Sequence, residues 1–172
     1  MQRRQALFSL LALSSSPALA LYDPQPDGSL ASVQGEWQGV LTYRDYSKPD
    51  KFVKLPCKLF IALSAPNELV LHYVFADGPN KTVYSYEKMK FDFAAKQLSW
   101  QSGGEEKAGK LHNIVSNTVS DGKRELGFER EEAQQRARYQ MLLSAKTFSF
   151  SKEEVSATGE AILRNRYEFS RV

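Results

Sequence analysis

From Val33 onward the apolar residues recur with a period of two, and this alternation more than any other feature limits what the chain can fold into. It is the signature of half-buried strands. In the first such run Trp37, Gly39, Leu41 and Tyr43 share one face, against Glu36, Gln38, Thr42 and Arg44 on the other. In the second, Val53, Leu55, Cys57, Leu59, Ile61 and Leu63 point one way and Lys54 and Lys58 the other. Leu69, Leu71, Tyr73 and Phe75 form a third line, and Val83, Met89, Phe91 and Phe93 a fourth within 82–93. Turn chemistry separates the runs at 47–50, 65–67 and 77–80, and Asp121-Gly122 is a two-residue hairpin signal. Shorter strands are expected at 97–101, 111–119, 124–129, 137–144, 147–151 and 157–171, with 102–106 a flexible link. Only 129–138, dense in Glu, Gln, Arg and Ala, suggests a helical turn, and a charged loop fits it equally. No helix is long enough to cross between parallel strands, so the sheet is expected to be antiparallel throughout. Nine or ten such strands hide their edges by closing into a barrel or by packing as a sandwich.

The N-terminus has a different character. Arg3 and Arg4 precede an apolar run from Ala6 to Leu13, Pro17 breaks it, and Ala18-Leu19-Ala20 supplies a small-x-small cleavage pattern. Eight apolar residues are too few to span a bilayer, which takes about 20 in a helix. The expectation is a signal peptide over 1–20, cleaved after Ala20, an extended lead-in over 21–32, and one domain over 33–172 with no transmembrane segment after cleavage. Localisation would be periplasmic or secreted, and Arg3-Arg4 suits a twin-arginine signal as well as an ordinary one.

Cleavage removes two of the 23 Lys and Arg residues, leaving 21 against 20 Asp and Glu. A nearly balanced chain lacks the concentrated basic face that nucleic acid requires. The single cysteine, Cys57, excludes an intrachain disulfide, so packing alone must hold the domain.

On the first strand, Gly35-Glu36-Trp37 resembles the Gly-x-Trp signature of lipocalins and the wider calycin superfamily. The resemblance implies an all-β, antiparallel up-and-down β-barrel of about 8–10 strands. In it Gly35 and Trp37 close one end, and a late-strand arginine lies over the indole as a cation–π partner. Arg166 is the expected arginine, with Arg164 and Arg171 as the other candidates on the last strand. Gly35-Glu36-Trp37-Gln38-Gly39 also resembles the haem-binding nitrobindins, but no C-terminal histidine is available for iron, so no cofactor is implied.

Within a barrel, alternation turns Tyr43, Tyr73, Tyr139 and Tyr167 inward beside Leu, Met and Phe. Buried phenols need partners, so four of them suggest a partly polar lining. Asn113 and Asn117, alternating with Leu111 and Val115, would add amides, and Cys57 would sit among leucines as a core thiol. These seven are the candidate ligand-binding residues. His72 and His112 are expected on the outer face or an edge, with no metal-ligand spacing around either. No nucleophile elbow, catalytic triad or phosphate loop is present. The sequence therefore suggests an exported barrel binding a small, mainly apolar molecule. The alternative is a filled barrel serving as a cell-envelope interaction or structural module.

Overall fold

The computed structural model describes residues 28–103, 109–133 and 135–172. The expected signal peptide and most of the lead-in lie outside the described residues. Ten antiparallel strands follow a 3-10 turn at Leu30–Val33. They are β1 (Gly35–Arg44), β2 (Phe52–Ala65), β3 (Glu68–Ala76), β4 (Thr82–Asp92), β5 (Gln97–Ser102), β6 (Lys110–Ser120), β7 (Lys123–Glu132), β8 (Gln135–Ser144), β9 (Thr147–Val155) and β10 (Ala161–Arg171). Each pairs with its sequence neighbours, and β1 also pairs with β10, which closes the sheet. The barrel alternative is the one realised.

The β6–β7 hairpin forms where Asp121-Gly122 signalled it, with φ of 50° and 69°. Both values are those of the mirror-image turn that matches strand twist. In the charged stretch 129–138 the residues up to Glu132 and from Gln135 are not helical but form the ends of β7 and β8, paired from Glu129 with Arg138 to Glu132 with Gln135. Its charges mislead because Arg130 and Glu132 hold the inward register of β7 at a polar barrel mouth, and the others face outward. Gly39 faces Phe169 across the β1–β10 seam. A Cβ there would stand 2.0 Å from the Glu168 carbonyl oxygen and 2.7 Å from Phe169 Cδ1.

One end of the barrel is solid. Leu30 and Val33 of the 3-10 turn are buried in the core, so the end of the expected lead-in is part of the plug. Trp37 has no solvent exposure, and its Nε1 donates to Val33 O at 2.8 Å. Leu59, Leu69, Leu71, Met89, Leu98, Leu126, Leu143 and Phe148 fill this half without exposure. At roughly 25 cal/mol per Å² of apolar surface, burying an indole of about 200 Å² contributes about 5 kcal/mol.

The cation over Trp37 is Arg171, not Arg166: the Arg171 guanidinium carbon lies 4.3 Å from the ring centroid. Arg171 also donates to the carbonyls of Ala145, Gln34 and Ser32, tying the last strand to the 3-10 turn. The physical reason is alternation itself. Tyr167, Phe169 and Arg171 share the inner face, and Arg166, one residue before Tyr167, falls on the outer face and is exposed. The backbone of Gly35 has φ of 125°, where a side chain would be strained, and its Cβ would meet Arg171 Nη1 at 2.7 Å.

Candidate functional site

Above the plug the lumen opens into a cavity of about 340 Å³. Its floor is a continuous aromatic layer drawn from six strands. Trp100 on β5 meets His112 on β6 at 5.4 Å, Tyr139 on β8 at 5.2 Å and Phe150 on β9 at 5.4 Å between ring centroids. Tyr139 stacks on Phe128 of β7 at 5.0 Å, and Phe150 meets Tyr167 of β10 at 6.0 Å. These rings face the same space because each occupies the inward register of its strand.

Polar groups gather above that layer. Glu87, Ser102, Lys110, Arg130, Lys152 and Asn165 line the cavity with the rings. Toward its mouth the charges are paired. Arg130 contacts Glu132 at 2.6 Å, Lys152 lies 3.8 Å from Glu132 and 3.9 Å from Glu154, and Arg164 lies 3.3 Å from Glu154. Burial alone would raise the Glu132 carboxyl, but the contacts with Arg130 and Lys152 outweigh it and hold the carboxyl below its ordinary range.

Glu87 differs. Burial pushes its carboxyl up to about 7, opposed only by the Trp100 indole N–H directed toward it. That approach falls short of a formed hydrogen bond. Glu87 Oε2, Trp100 Nε1 and Asn165 Oδ1 are all buried atoms with no hydrogen-bond partner. Buried polar atoms are normally satisfied, and each orphan costs about 1–3 kcal/mol. Three orphans on the wall of one cavity mark where a bound molecule would supply the missing partners.

His112 corrects the sequence reading. It is buried, whereas Leu111 and Val115, the residues taken to face inward, are 61% and 55% exposed. Burial pushes its imidazole down to about 4, and Nδ1 lies 3.0 Å from Lys110 O. The same reversal puts Asn113 on the exposed outer face. Asn117 is exposed too, past a register shift between Ile114 and Ser116, and accepts from Arg124 Nη1 at 2.6 Å. Neither asparagine lines the cavity. His72 is exposed, as alternation indicated, between Phe60 and Tyr84.

The other expected residues divide into two groups. Tyr139 and Tyr167 line the cavity, and burial raises both phenols, Tyr139 to about 12. Tyr73 is fully buried beneath, its ring 5.3 Å from that of Tyr167. Cys57 is a buried core thiol, pushed up to about 12 by desolvation, and stands outside the cavity wall. Tyr43 pairs with Asn165 across β1 and β10 but is not part of the lining. Asp45 is occupied by the β1–β2 turn, where it accepts from Ser47 N and Oγ and from Lys48 N. Among the described residues no group of three or more His, Cys, Asp or Glu could hold a metal.

No family model matches the chain, and no curated protein matches its sequence. Solved structures do match. Rv2717c from M. tuberculosis superimposes with a TM-score of 0.59 at 11% identity, covering 83% of this chain and 94% of its own. The S-type phycobiliprotein lyase CPES from Guillardia theta gives 0.53 at 8% identity, covering 81% of this chain and 88% of its own. What they share with this chain is the fold, here a closed ten-stranded antiparallel barrel. At such identities the likeness concerns architecture alone, and it agrees with the resemblance carried by Gly35-Glu36-Trp37.

Proposed function

We propose that this calycin-like barrel is an exported holder of a small, mainly apolar molecule, bound in the lumen above the aromatic floor. The observation that carries the reading is the convergence of three partnerless buried polar atoms on a ring-lined cavity. A barrel built only as a structural module gains nothing from leaving Glu87, Trp100 and Asn165 unsatisfied, because each could be apolar at lower cost. The shared fold with a phycobiliprotein lyase is compatible with a small-molecule site in such a barrel. Export rests on the 1–20 segment: its paired arginines, its short apolar run and Ala18-Leu19-Ala20 support a cleaved signal.

Native mass spectrometry of the purified protein with polycyclic, polyene and fatty-acyl probes tests the reading. One-to-one adducts that weaken when Tyr139→Ala opens the floor are expected. A protein that takes up none of these classes would refute it.

A further inference from the structure

Glu87 stands on β4 in the same inward register as Met89 and Phe91, a carboxylate placed at the edge of an apolar core. Ionising it there is costly unless an opposite charge or donors meet it. The barrel's own cations do not serve. Of Lys110, Arg130 and Lys152 in the lining none offsets the burial of Glu87, against which only the Trp100 N–H acts, and Arg130 and Lys152 are engaged by Glu132 and Glu154 nearer the mouth. The walls around Glu87 are flat and electron-rich: Trp100, Tyr139, Phe150 and Tyr167. Ring faces of this kind attract cations and accept planar molecules by stacking. Asn165 Oδ1 adds a second acceptor without a donor, whereas among the buried atoms of the described lining residues Trp100 Nε1 is the one donor without a partner.

An unmatched pair of acceptors, one of them a carboxyl group, between aromatic faces defines a ligand chemistry. Resting on the lumen-binding reading, we propose that the cavity takes a planar, positively charged nitrogen heterocycle, with Glu87 as its specificity-determining counter-ion. The heterocycle's N–H groups donate to Glu87 and Asn165 while its rings stack on the floor. This narrows the expected "mainly apolar" ligand to one that is apolar on its faces and cationic along one edge.

Proton linkage gives a second signature. Glu87 must be ionised to pair with a cation, so affinity is held above about pH 7 and lost as pH falls through that value. The other groups around it do not reproduce this profile. His112 on β6 stays neutral down to about pH 4, and burial raises the phenols of Tyr73 on β3, Tyr139 on β8 and Tyr167 on β10, keeping them neutral. Glu132 is held low by Arg130 and Lys152.

The test uses three tricyclic probes of matched shape, titrated by fluorescence anisotropy into the full-length mature protein. They are 9-aminoacridine as the cation, 9-anthracenemethanol as the neutral probe and anthracene-9-carboxylate as the anion. The wild type is expected to prefer 9-aminoacridine by about tenfold or more at pH 8, as for a charged hydrogen bond. The preference should shrink on moving to pH 5.5. Glu87→Gln should remove both the preference and its pH dependence while leaving 9-anthracenemethanol unchanged. Glu87→Leu, checked for native circular dichroism, should do the same. Equal binding of all three probes, or preference for the carboxylate, overturns the assignment while leaving lumen binding intact. Failure of all three to bind overturns both.

Discussion

Replacing Glu87 by Gln should change how stability depends on pH, because two buried groups pull in opposite directions. An unfolded-chain carboxyl titrates near 4.5, whereas Glu87 in the barrel holds its proton up to about 7. Between those values the native state binds more protons, so Glu87 makes stability fall as pH rises from 4.5 to 7. The displacement corresponds to about 3 kcal/mol. His112 acts oppositely. Its imidazole is depressed from 6.5 to about 4, so the unfolded state binds more protons in that window. Stability is therefore lost as pH falls from 6.5 to 4, again by about 3 kcal/mol. In the wild type the two slopes nearly cancel between about pH 4.5 and 6.5. Glu87→Gln removes one of them. The variant should be more stable than wild type by up to about 3 kcal/mol at pH 8 and equal to it near pH 4.5, with a steep loss on acidification that the wild type lacks. Urea unfolding followed by tryptophan emission across pH 4.5–8 measures this directly. Parallel curves for the two proteins would refute the claim that Glu87 is buried without a counter-ion.

The plug yields further expectations. Trp37→Ala should destabilise by about 3–5 kcal/mol in urea unfolding, as for other fully buried aromatics. Arg171→Ala should cost about 2–4 kcal/mol through its lost carbonyl bonds and cation–π contact, whereas Arg166→Ala should stay within about 0.5 kcal/mol. Gly39→Ala should loosen the β1–β10 seam, raising hydrogen exchange at Leu41 and Tyr167 and costing about 1–3 kcal/mol, since its methyl would strike the Glu168 carbonyl. Cys57 should resist an aromatic disulfide reagent at pH 8 in the native protein and react at once in denaturant, because burial lifts its thiol to about 12.

The barrel was legible because period-two patterning and turn residues are local signals, and ten short strands leave few ways to hide edges. The plug was legible in part. Gly35 and Trp37 carry a motif, but choosing Arg166 departed from the very alternation that makes Tyr167 and Phe169 inward and therefore Arg171 as well. The site was harder to read for a physical reason. A cavity wall reverses the rule that apolar residues face inward: Leu111 and Val115 look out while His112 looks in. Hydrophobicity therefore selected the wrong face of β6 and offered Asn113. Glu87 had a usable signal, since it falls in step with Val83, Met89 and Phe91, but an acidic residue among them reads as an interruption. Nothing in the sequence marks Trp100, Phe150 and Asn165 as neighbours, because strand pairing across the closed barrel brings them together.

The chain has two tryptophans, one in the plug and one in the cavity wall, and this permits the most direct test of the central claim. Trp37→Phe leaves Trp100 as the sole emitter, and Trp100→Phe leaves Trp37. On titration with 9-aminoacridine, the Trp100-only protein should show saturable quenching and the Trp37-only protein little change. Quenching confined to Trp37, or no saturable change in either protein, would contradict a ligand seated in the lumen above the aromatic floor.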